Sequence, residues 1–404
     1  MNRLISFVKT FCNKNEEGAA LITGLLLVLV LTILGMAAMA TTVMELKITS
    51  NDRSSKRVFY LAEAGIEDGR SRLQVGASSS PIYDTQPTNA SWTAFIGNDL
   101  KIQGKGYGSS NSSHSRYDRL NSSLDYVVTI SHKLDASGNI LKWGDSSGDG
   151  IPEENTTTGR NIYIITSEGY SSDGASKTLR VEASPVPDIT VPAALYTKAD
   201  TTIQGNSTYV VGLDKCGTTA LPGIISMLGV TQNGMPHIDG SPPVIANSTQ
   251  NINIQYMIDQ FKGNSNYSYN VNSSTLTGMS WGSPAPGASP QDATTCNDHN
   301  VVYFNTDSTY VKFMGGTTGC GLLLVEGDLH VGGGFKWYGA VIVTGSIVFS
   351  GGGEKNVTGA MLAGGTVSAD LVSGDANLLY CSEAISKQTS YRPLKVHRWA
   401  EIFS

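Results

Sequence analysis

The chain has 404 residues, of which 15% are charged, and its formal net charge at pH 7 is −6. Soluble domains typically carry about 25% charged residues, so this chain has few. It contains 45 glycines and is also rich in Ser, Thr and Asn. This composition is common in exported β-rich proteins and argues against a cytoplasmic enzyme. The sequence has no basic stripe with interleaved aromatic residues, so no nucleic-acid partner is expected.

The first predicted element is a membrane-spanning helix. Residues 19–44 are free of charge and lie between Glu17 and Glu45. A span of about 20 apolar residues crosses the hydrocarbon layer of a membrane. The residues that we assign to the helix centre are Leu21, Ile22, Thr23, Leu25, Leu26, Leu27, Val28, Leu29, Val30, Leu31, Ile33 and Leu34. Hydroxyls within the run can bond to carbonyls of the same helix.

The helical pattern continues beyond the apolar run. Apolar residues recur at helical spacing from Leu46 through Val58, Leu61 and Ile66 to Leu73, with charges between them. This pattern predicts an amphipathic helix. We therefore expect one continuous helix over residues 19–75, apolar in its first half and amphipathic in its second.

The residues of this helix resemble a known family. Gly18-Ala19-Ala20-Leu21-Ile22, the apolar run and SNDRSSKRVFYLAEAGIEDGRSRL (50–73) resemble the N-terminal region of PilX-type minor pilins of type IV pili. The Ala62-Glu63-Ala64-Gly65 stretch is the most specific part. The resemblance implies a leader over residues 1–18, cleavage after Gly18 by a prepilin peptidase and methylation of Ala19. It also implies that the helix binds other minor and major pilins.

Two positions depart from the pattern of that family. Major pilins carry a Glu five residues after the cleavage point, where this chain has Thr23. That Glu pairs with the amine of a neighbouring subunit, and an unpaired buried charge is costly, so its loss favours a tip position. Glu16 and Glu17 precede Gly18 where basic residues are usual. The alternative, a secretory signal or plain signal anchor, has a shorter apolar core and a later cleavage site.

The next predicted unit is an antiparallel β module over residues 76–184. Three segments alternate apolar and polar residues with the period of half-buried strands, at 126–134, 161–170 and 176–184. We expect their sheet to pack on the amphipathic part of the helix. Pro185, Pro187 and Pro192 predict a linker after it.

A candidate calcium loop lies within this module. Asp145, Ser147, Asp149, Ile151 and Glu153 occupy alternate positions of WGDSSGDGIPEEN, and calcium loops place oxygen ligands at alternate positions. Thr156 stands where a full EF-hand loop has its closing Glu. The sequence therefore allows a possible Ca²⁺ site and equally an Asp/Gly-rich hairpin turn; no cofactor is required.

The rest of the chain, residues 185–404, predicts a Gly-rich domain of β-solenoid-like coils. Segments 321–339, 339–359 and 359–374 align with one another, with central glycines at Gly327, Gly345 and Gly365. Repeats of this length with short strands predict stacked coils, and 194–212 resembles an earlier coil. We expect an insertion at about 222–295 with a helix over 252–263. The tail, 390–403, is expected to cap the open end with Trp399 and Phe403.

Five cysteines are present, and Cys12 lies in the leader. An oxidising compartment favours two disulfides among the other four, and the sequence leaves all three connectivities open. These candidates are Cys216, Cys296, Cys320 and Cys381.

The sequence predicts no enzyme. Gly278-Met279-Ser280-Trp281-Gly282 matches the G-x-S-x-G pattern, but that motif needs a buried strand before it and a helix after it. We therefore predict an α+β structural protein that waits in the inner membrane with its C-terminal domain in the periplasm. It would then join a type IV pilus or pseudopilus at or near the tip, outside the cell, priming or capping assembly. The alternative is a tip adhesin whose C-terminal domain binds a surface or a glycan.

Overall fold

The computed structural model describes most of the chain and divides it into one long helix and two β regions. The described residues are 2–74, 81–98, 101, 117–120, 123–147, 151–186, 189, 191–289, 291–369, 376–388 and 393–403. Helix α1 covers Asn2–Leu73, α2 covers Ile254–Phe261, and α3 covers Ser382–Gln388. A 3₁₀ turn at Lys262–Asn264 follows α2.

A six-stranded sheet packs against the end of α1. Its order is β2-β1-β3-β7-β8-β26, and every pair is antiparallel except β1–β2. The strands are β1 Thr93–Gly97, β2 Tyr117–Leu120, β3 Tyr126–His132, β7 Tyr163–Tyr170, β8 Ser176–Pro185 and β26 Leu394–Ile402. The three segments predicted from alternation are β3, β7 and β8. We call this sheet with residues 58–73 of α1 the N-terminal module.

A small sheet projects from the N-terminal module between β3 and β7. It has the order β5-β4-β6 and consists of β4 Lys142–Gly144, β5 Glu153–Thr156 and β6 Arg160–Asn161. Its strands pair antiparallel. The predicted calcium loop therefore connects β4 to β5.

The contact between α1 and the sheet is unusually close. Ala62 is fully buried, and a Cβ added to Gly65 would collide with the side chain of Ser167 on β7. Across the interface, a Cβ on Gly169 would lie 2.6 Å from the backbone nitrogen of Ala62 and closer still to the carbonyl oxygen of Val58. Small residues on both elements let the backbones touch. This is the physical reason for the small residues Ala62 and Gly65 of the Ala-Glu-Ala-Gly stretch, whereas Glu63 and Ala64 are exposed.

The expected role of the tail was wrong. Strand β26 does not cap the C-terminal coils, because it pairs antiparallel with β8, with Leu394 opposite Pro185 and Ile402 opposite Thr178. Trp399 packs edge-on against Phe59 of α1, with ring centroids 6.1 Å apart, and Phe403 is 85% exposed. The chain thus returns to complete the sheet of the N-terminal module.

This return makes the large C-terminal region an insert. The backbone nitrogen of Val186 donates to the carbonyl of Pro393 at 3.1 Å, so the chain leaves and re-enters the N-terminal module at adjacent points. We call residues 189–388 the insert domain. The predicted C-terminal domain, residues 185–404, therefore extends too far, because β26 belongs to the N-terminal module.

The insert domain contains one 17-stranded sheet. Its strands pair in parallel with segments about one repeat away, so that Leu323 lies opposite Val341, and Val341 opposite Met361. The strands are β9 Leu195–Thr197, β10 Thr201–Gln204, β11 Thr208–Val211, β12 Ile224–Ser226, β13 Val230–Asn233, β14 His237–Asp239, β15 Val244–Ile245, β16 Tyr267–Asn270, β17 Ser274–Thr277, β18 Ser280–Trp281, β19 Asn300–Met314, β20 Thr318–Val331, β21 Lys336–Val343, β22 Ile347–Phe349, β23 Lys355–Ala363, β24 Val367–Ala369 and β25 Ala376–Tyr380.

The glycines that defined the predicted repeat lie on top of one another in the stack. The nitrogen of Gly345 donates to the carbonyl of Gly327 at 2.9 Å, and the nitrogen of Gly365 donates to that of Gly345 at 2.8 Å. Apolar side chains such as Leu322, Ile342 and Leu362 are fully buried between the parallel ladders. The ladders are of the kind that stacked coils produce; the closed β-solenoid stays a prediction.

The order of the stack differs from the order of the chain. Strand β9 pairs on one side with β23, near the end of the chain, and on the other with β12. The predicted insertion at 222–295 is therefore wrong in extent, since β12–β15 extend the stack at one end and β16–β18 at the other. Helix α2, which the sequence predicts over 252–263, connects the two ends.

Two disulfides tie the insert domain together. Cys216 is bonded to Cys381, 165 residues away, and Cys296 is bonded to Cys320. The first bond joins the loop after β11 to the segment after β25, which the sequence places far apart. Closing so long a loop removes much conformational freedom from the unfolded chain.

The side chain of His397 in β26 is buried where β26 meets β5 and β8. The Nδ1–H of His397 donates to Glu154 at 2.9 Å, and its Nε2 accepts from the hydroxyl of Ser184 at 2.7 Å. Burial lowers the pKa of His397, Lys395 and Lys133 lower it further, and the Glu154 carboxylate partly opposes them. The folded state therefore favours the neutral ring.

We expect the N-terminal module to lose stability as the pH falls through about 6.5, the ordinary His pKa, because the unfolded chain then binds a proton that the folded chain resists. Thermal unfolding between pH 7.5 and 5.5 checks this. The His397→Gln variant should have a flatter pH dependence of its unfolding midpoint than the unmodified chain. Equal slopes would contradict the assignment.

Candidate functional site

The first candidate site is the exposed part of α1, which we call the stem (residues 20–53). Every side chain in the stem is exposed, and Leu21 is 74% exposed. Val58, which lies where α1 first contacts the sheet, is only 1% exposed. The helix from Ala20 to Leu73 has 54 residues and is the one described helix long and apolar enough to span a membrane. At 1.5 Å per residue it is about 80 Å long.

The predicted helix-centre residues all lie on this exposed surface. Large apolar residues cover all sides of the helix rather than one stripe, which is typical of a segment surrounded by lipid or by other helices. The exposed members are Leu21, Ile22, Leu25, Leu26, Leu27, Val28, Leu29, Val30, Leu31, Ile33 and Leu34. An uncovered apolar surface of this length requires a partner of the same polarity.

The threonines of the stem bond as the sequence predicts. The hydroxyl of Thr23 donates to the carbonyl of Ala20 at 3.0 Å, and that of Thr32 donates to Leu29 at 2.7 Å. Thr41 and Thr42 both donate to Ala38. The polar atoms are thus satisfied within the helix, so they do not oppose burial in an apolar environment.

Ion pairs form where the stem approaches the sheet. Lys56 donates to Asp52 at 2.8 Å within the helix, and Arg57 lies 3.6 Å from Asp125 of the loop before β3. The hydroxyl of Ser54 also donates to Asp173 in the turn between β7 and β8. These contacts fix the direction in which the stem leaves the N-terminal module. Gly18 and Ala19, the predicted processing residues, lie within α1.

The second candidate site is the loop between β4 and β5. One carboxylate oxygen of Glu153 accepts from the backbone nitrogen of Ser146 at 2.8 Å and from its hydroxyl at 3.1 Å. The bond from the Ser146 nitrogen is the main reason that the pKa of Glu153 is lowered to about 2. Ser147 donates to Asp145 at 3.4 Å, and Ile151 is exposed. Asp149 lies outside the described residues.

This loop can offer carboxylates but not a full EF-hand ligand set. The hydroxyl of Thr156 donates to the carbonyls of Lys142 and Thr158, at 3.1 and 2.7 Å, so it is used within the small sheet. One oxygen of Glu153 closes the loop through Ser146. Calcium binding here stays a prediction.

The N-terminal module contains a buried polar cluster that the sequence does not predict. Asp84 accepts from Nε2 of His132 and from the hydroxyl of Tyr163, both at 2.9 Å, while His132 Nδ1 lies 2.9 Å from the carbonyl of Asn89. Burial raises the pKa of Asp84, but the bonds from His132 and Tyr163 outweigh it and the net shift is downward. The cluster connects the loop before β1 to the sheet by hydrogen bonds. Its members are far apart in sequence, and no spacing signals them.

The G-x-S-x-G match has the wrong surroundings for a nucleophile. Ser280 lies in β18, a two-residue strand at the end of the stack, and its hydroxyl accepts from Thr318 at 3.3 Å. Gly282 follows with a positive φ of 125°, and no helix begins there. The four cysteines that lie near Asp214 and Asp298 are all bonded as disulfides.

Comparisons with known proteins bear on the stem. Residues 17–67 match the family model described as PilX N-terminal. No curated protein is significantly similar to the chain. The competence-associated pilin ComZ from Thermus thermophilus aligns with 86% of this chain and 97% of its own at 9% identity, with a TM-score of 0.21. The resemblance read from the sequence is confirmed over residues 17–67, which include the stem and most of the helix that follows it: this segment is of the PilX N-terminal type.

Proposed function

We propose that the chain is a minor pilin that waits in the inner membrane and then enters a type IV pilus or a related pseudopilus. The observation that carries the proposal is the stem, whose apolar side chains are uncovered along its whole length. Lipid can cover this surface before assembly, and the stems of neighbouring pilins can cover it afterwards. The match to the PilX N-terminal model supports this proposal.

We further propose a position at or near the tip, where the protein primes or caps assembly. Thr23 bonds to its own helix and offers no carboxylate to the N-terminal amine of a neighbour, so it needs no such pairing. The insert domain occupies residues 189–388, about half of the chain, and joins the module through two adjacent strands. Trp143 and Ile162, near the small sheet, also pack into its core. A domain of this size is accommodated more readily at an end than in a repeating shaft.

The proposal is tested by the N-terminal residue and the location of the mature protein. We expect mass spectrometry of sheared pili to find a chain that begins at N-methyl-Ala19, after removal of residues 1–18 by a prepilin peptidase. Antibodies against the insert domain should label filament ends, and deletion of the gene should lower the number of pili. A chain that retains Met1 and is absent from filaments would overturn the proposal.

A matched pair of variants separates the stem from the rest of the surface. Leu27→Arg places a charge on the exposed stem, and Leu228→Arg places the same charge on an exposed side chain of the insert domain. Charge at the centre of a membrane helix costs about 3 kcal/mol or more. We expect the first variant to fail to restore pili and the second to restore them. Equal restoration would show that the stem surface is not needed.

We also propose that the loop between β4 and β5 binds Ca²⁺ weakly through Asp145, Ser147, Asp149, Ile151 and Glu153. The exposed carboxylate of Glu153 stays ionised far below neutral pH, since its pKa is lowered to about 2. Isothermal titration with CaCl₂ should give a millimolar site that Glu153→Ala removes and Glu383→Gln, an exposed change on α3, retains. Identical titrations for the two variants would refute the site.

A further inference from the structure

The stack of strands in the insert domain ends in strands that are paired on one side only. At one end, β16 and β17 pair in parallel with β19, and β18 pairs with β20. At the other end, β13, β14 and β15 pair with β10, β11 and β12. The outer edges of these six strands have no partner strand among the residues that the structure describes. We call residues 266–281 the β16–β18 end and residues 228–247 the β13–β15 end.

The apolar core is incomplete at the β16–β18 end. Tyr269 lies opposite Phe304, and Leu276 lies opposite Phe313. Both phenylalanines are fully buried, whereas Tyr269 and Leu276, one strand further out, are only partly buried. Backbone groups without partners and half-exposed apolar side chains therefore occur together. A further β edge placed against this end would satisfy both.

The two ends differ in the residues that protect them. Natural sheets shield exposed edges with charged residues and proline, which oppose pairing with another edge. The β13–β15 end contains Asp239 and three prolines, Pro236, Pro242 and Pro243. Residues 263–283, in contrast, include no charged residue and no proline. The β16–β18 end is therefore the one whose sequence permits pairing.

The absence of charge indicates which partner fits. In a two-fold contact a surface meets its own copy, so every charge on it would lie near a like charge, which is unfavourable. Residues 263–283 carry no charge that could repel. A single extended peptide would cover one edge strand, whereas the same end of a second copy presents three. Contact with the β13–β15 end of another copy would leave free ends and form an open chain of copies.

We propose that two copies of this chain associate through their β16–β18 ends to form a closed dimer. The inference goes beyond the proposed function and does not depend on it, because the contact lies in the insert domain and does not involve the stem.

Sedimentation equilibrium of the full chain in a density-matched detergent tests the proposal, since it measures the mass of the polypeptide alone. We expect twice the monomer mass at micromolar protein concentration. The double variant Ser268→Lys/Thr275→Lys places two charges on exposed positions of β16 and β17. It should raise the dissociation constant of the dimer at least tenfold, because like charges then face one another across the contact.

Thr231→Lys/Asn233→Lys is the matched control, because it places the same two charges on exposed positions of β13 at the other end. This variant should dimerise as the unmodified chain does, whereas a dimer held by the stems would survive in both double variants. Equal dimerisation of the two variants would therefore overturn the proposal.

Hydrogen exchange of the unmodified chain provides a test without any substitution. The amides of β16–β18 should exchange more slowly as the protein concentration is raised, and those of β13–β15 should not change. A chain that stays monomeric at all concentrations, or exchange in β16–β18 that is independent of concentration, would also overturn the proposal.

Discussion

Removing the insert domain should leave the N-terminal module folded, provided that β26 is kept. A variant that joins Val186 to Pro393 through a four-residue turn containing Asn-Gly keeps β8 and β26 as a hairpin. The backbone bond between these two residues, 3.1 Å long, shows that their ends already lie side by side. Circular dichroism and size-exclusion chromatography in detergent should show a folded, monodisperse protein.

A simple truncation after Val186 should instead unfold the N-terminal module. It removes the eight residue pairs between β26 and β8, together with the buried Leu394. The lost bonds and apolar contacts amount to about 5 kcal/mol or more, comparable to the total stability of a small domain. The exposed edge of β8 would also promote aggregation. Deleting only Phe403 and Ser404 is the control, since Phe403 follows the strand and is exposed.

The two deletion variants also show whether pilus assembly requires the insert domain. If the hairpin variant restores pili in a deletion strain, the N-terminal module with its stem is sufficient for assembly, and the insert domain serves another purpose. A truncated chain that folded as well as the hairpin variant would contradict the role assigned to β26.

The second large effect should come from Gly169. Replacing glycine by alanine within a strand normally adds about 0.5–1 kcal/mol of stability. At Gly169 the added Cβ would lie 2.6 Å from the nitrogen of Ala62 and press on the carbonyl of Val58. Backbone atoms cannot yield as side chains do, so α1 would have to move off the sheet. We expect Gly169→Ala to cost about 2 kcal/mol and Gly169→Val about 3 kcal/mol or more.

Hydrogen exchange locates this effect. The amides of residues 58–73 should exchange at least tenfold faster in Gly169→Val, because about 1.4 kcal/mol of lost stability corresponds to a factor of ten. Gly263→Ala is the control, since no atom lies within 4 Å of its added Cβ. Unchanged exchange in residues 58–73 would mean that the close contact between helix and sheet contributes nothing.

Local features of the chain were predictable because each rests on neighbouring residues. The charge-free run from Ala19 to Met44 predicted the stem, and helical spacing predicted its continuation to Leu73. Alternation of apolar and polar residues located β3, β7 and β8, and the glycine spacing located Gly327, Gly345 and Gly365, which stack in the structure.

Contacts between distant segments could not be predicted in the same way. The alternation within β26 is weak, so nothing in it indicated that its partner is β8 rather than the end of the stack. Similarly, Cys216 has three possible partners in the sequence, and only the pairing of β11 with β25 brings Cys381 beside it.

The sequence by itself determined the nature of the N-terminal segment: an apolar stem and an amphipathic helix with a PilX-type pattern, since periodicity and composition are properties of the local chain. Only the tertiary structure decided that the large β region is an insert and that β9 stacks on β23. Strand pairing depends on backbone bonds that every residue type except proline can make in full, and the partner is therefore selected by the packing of the whole domain.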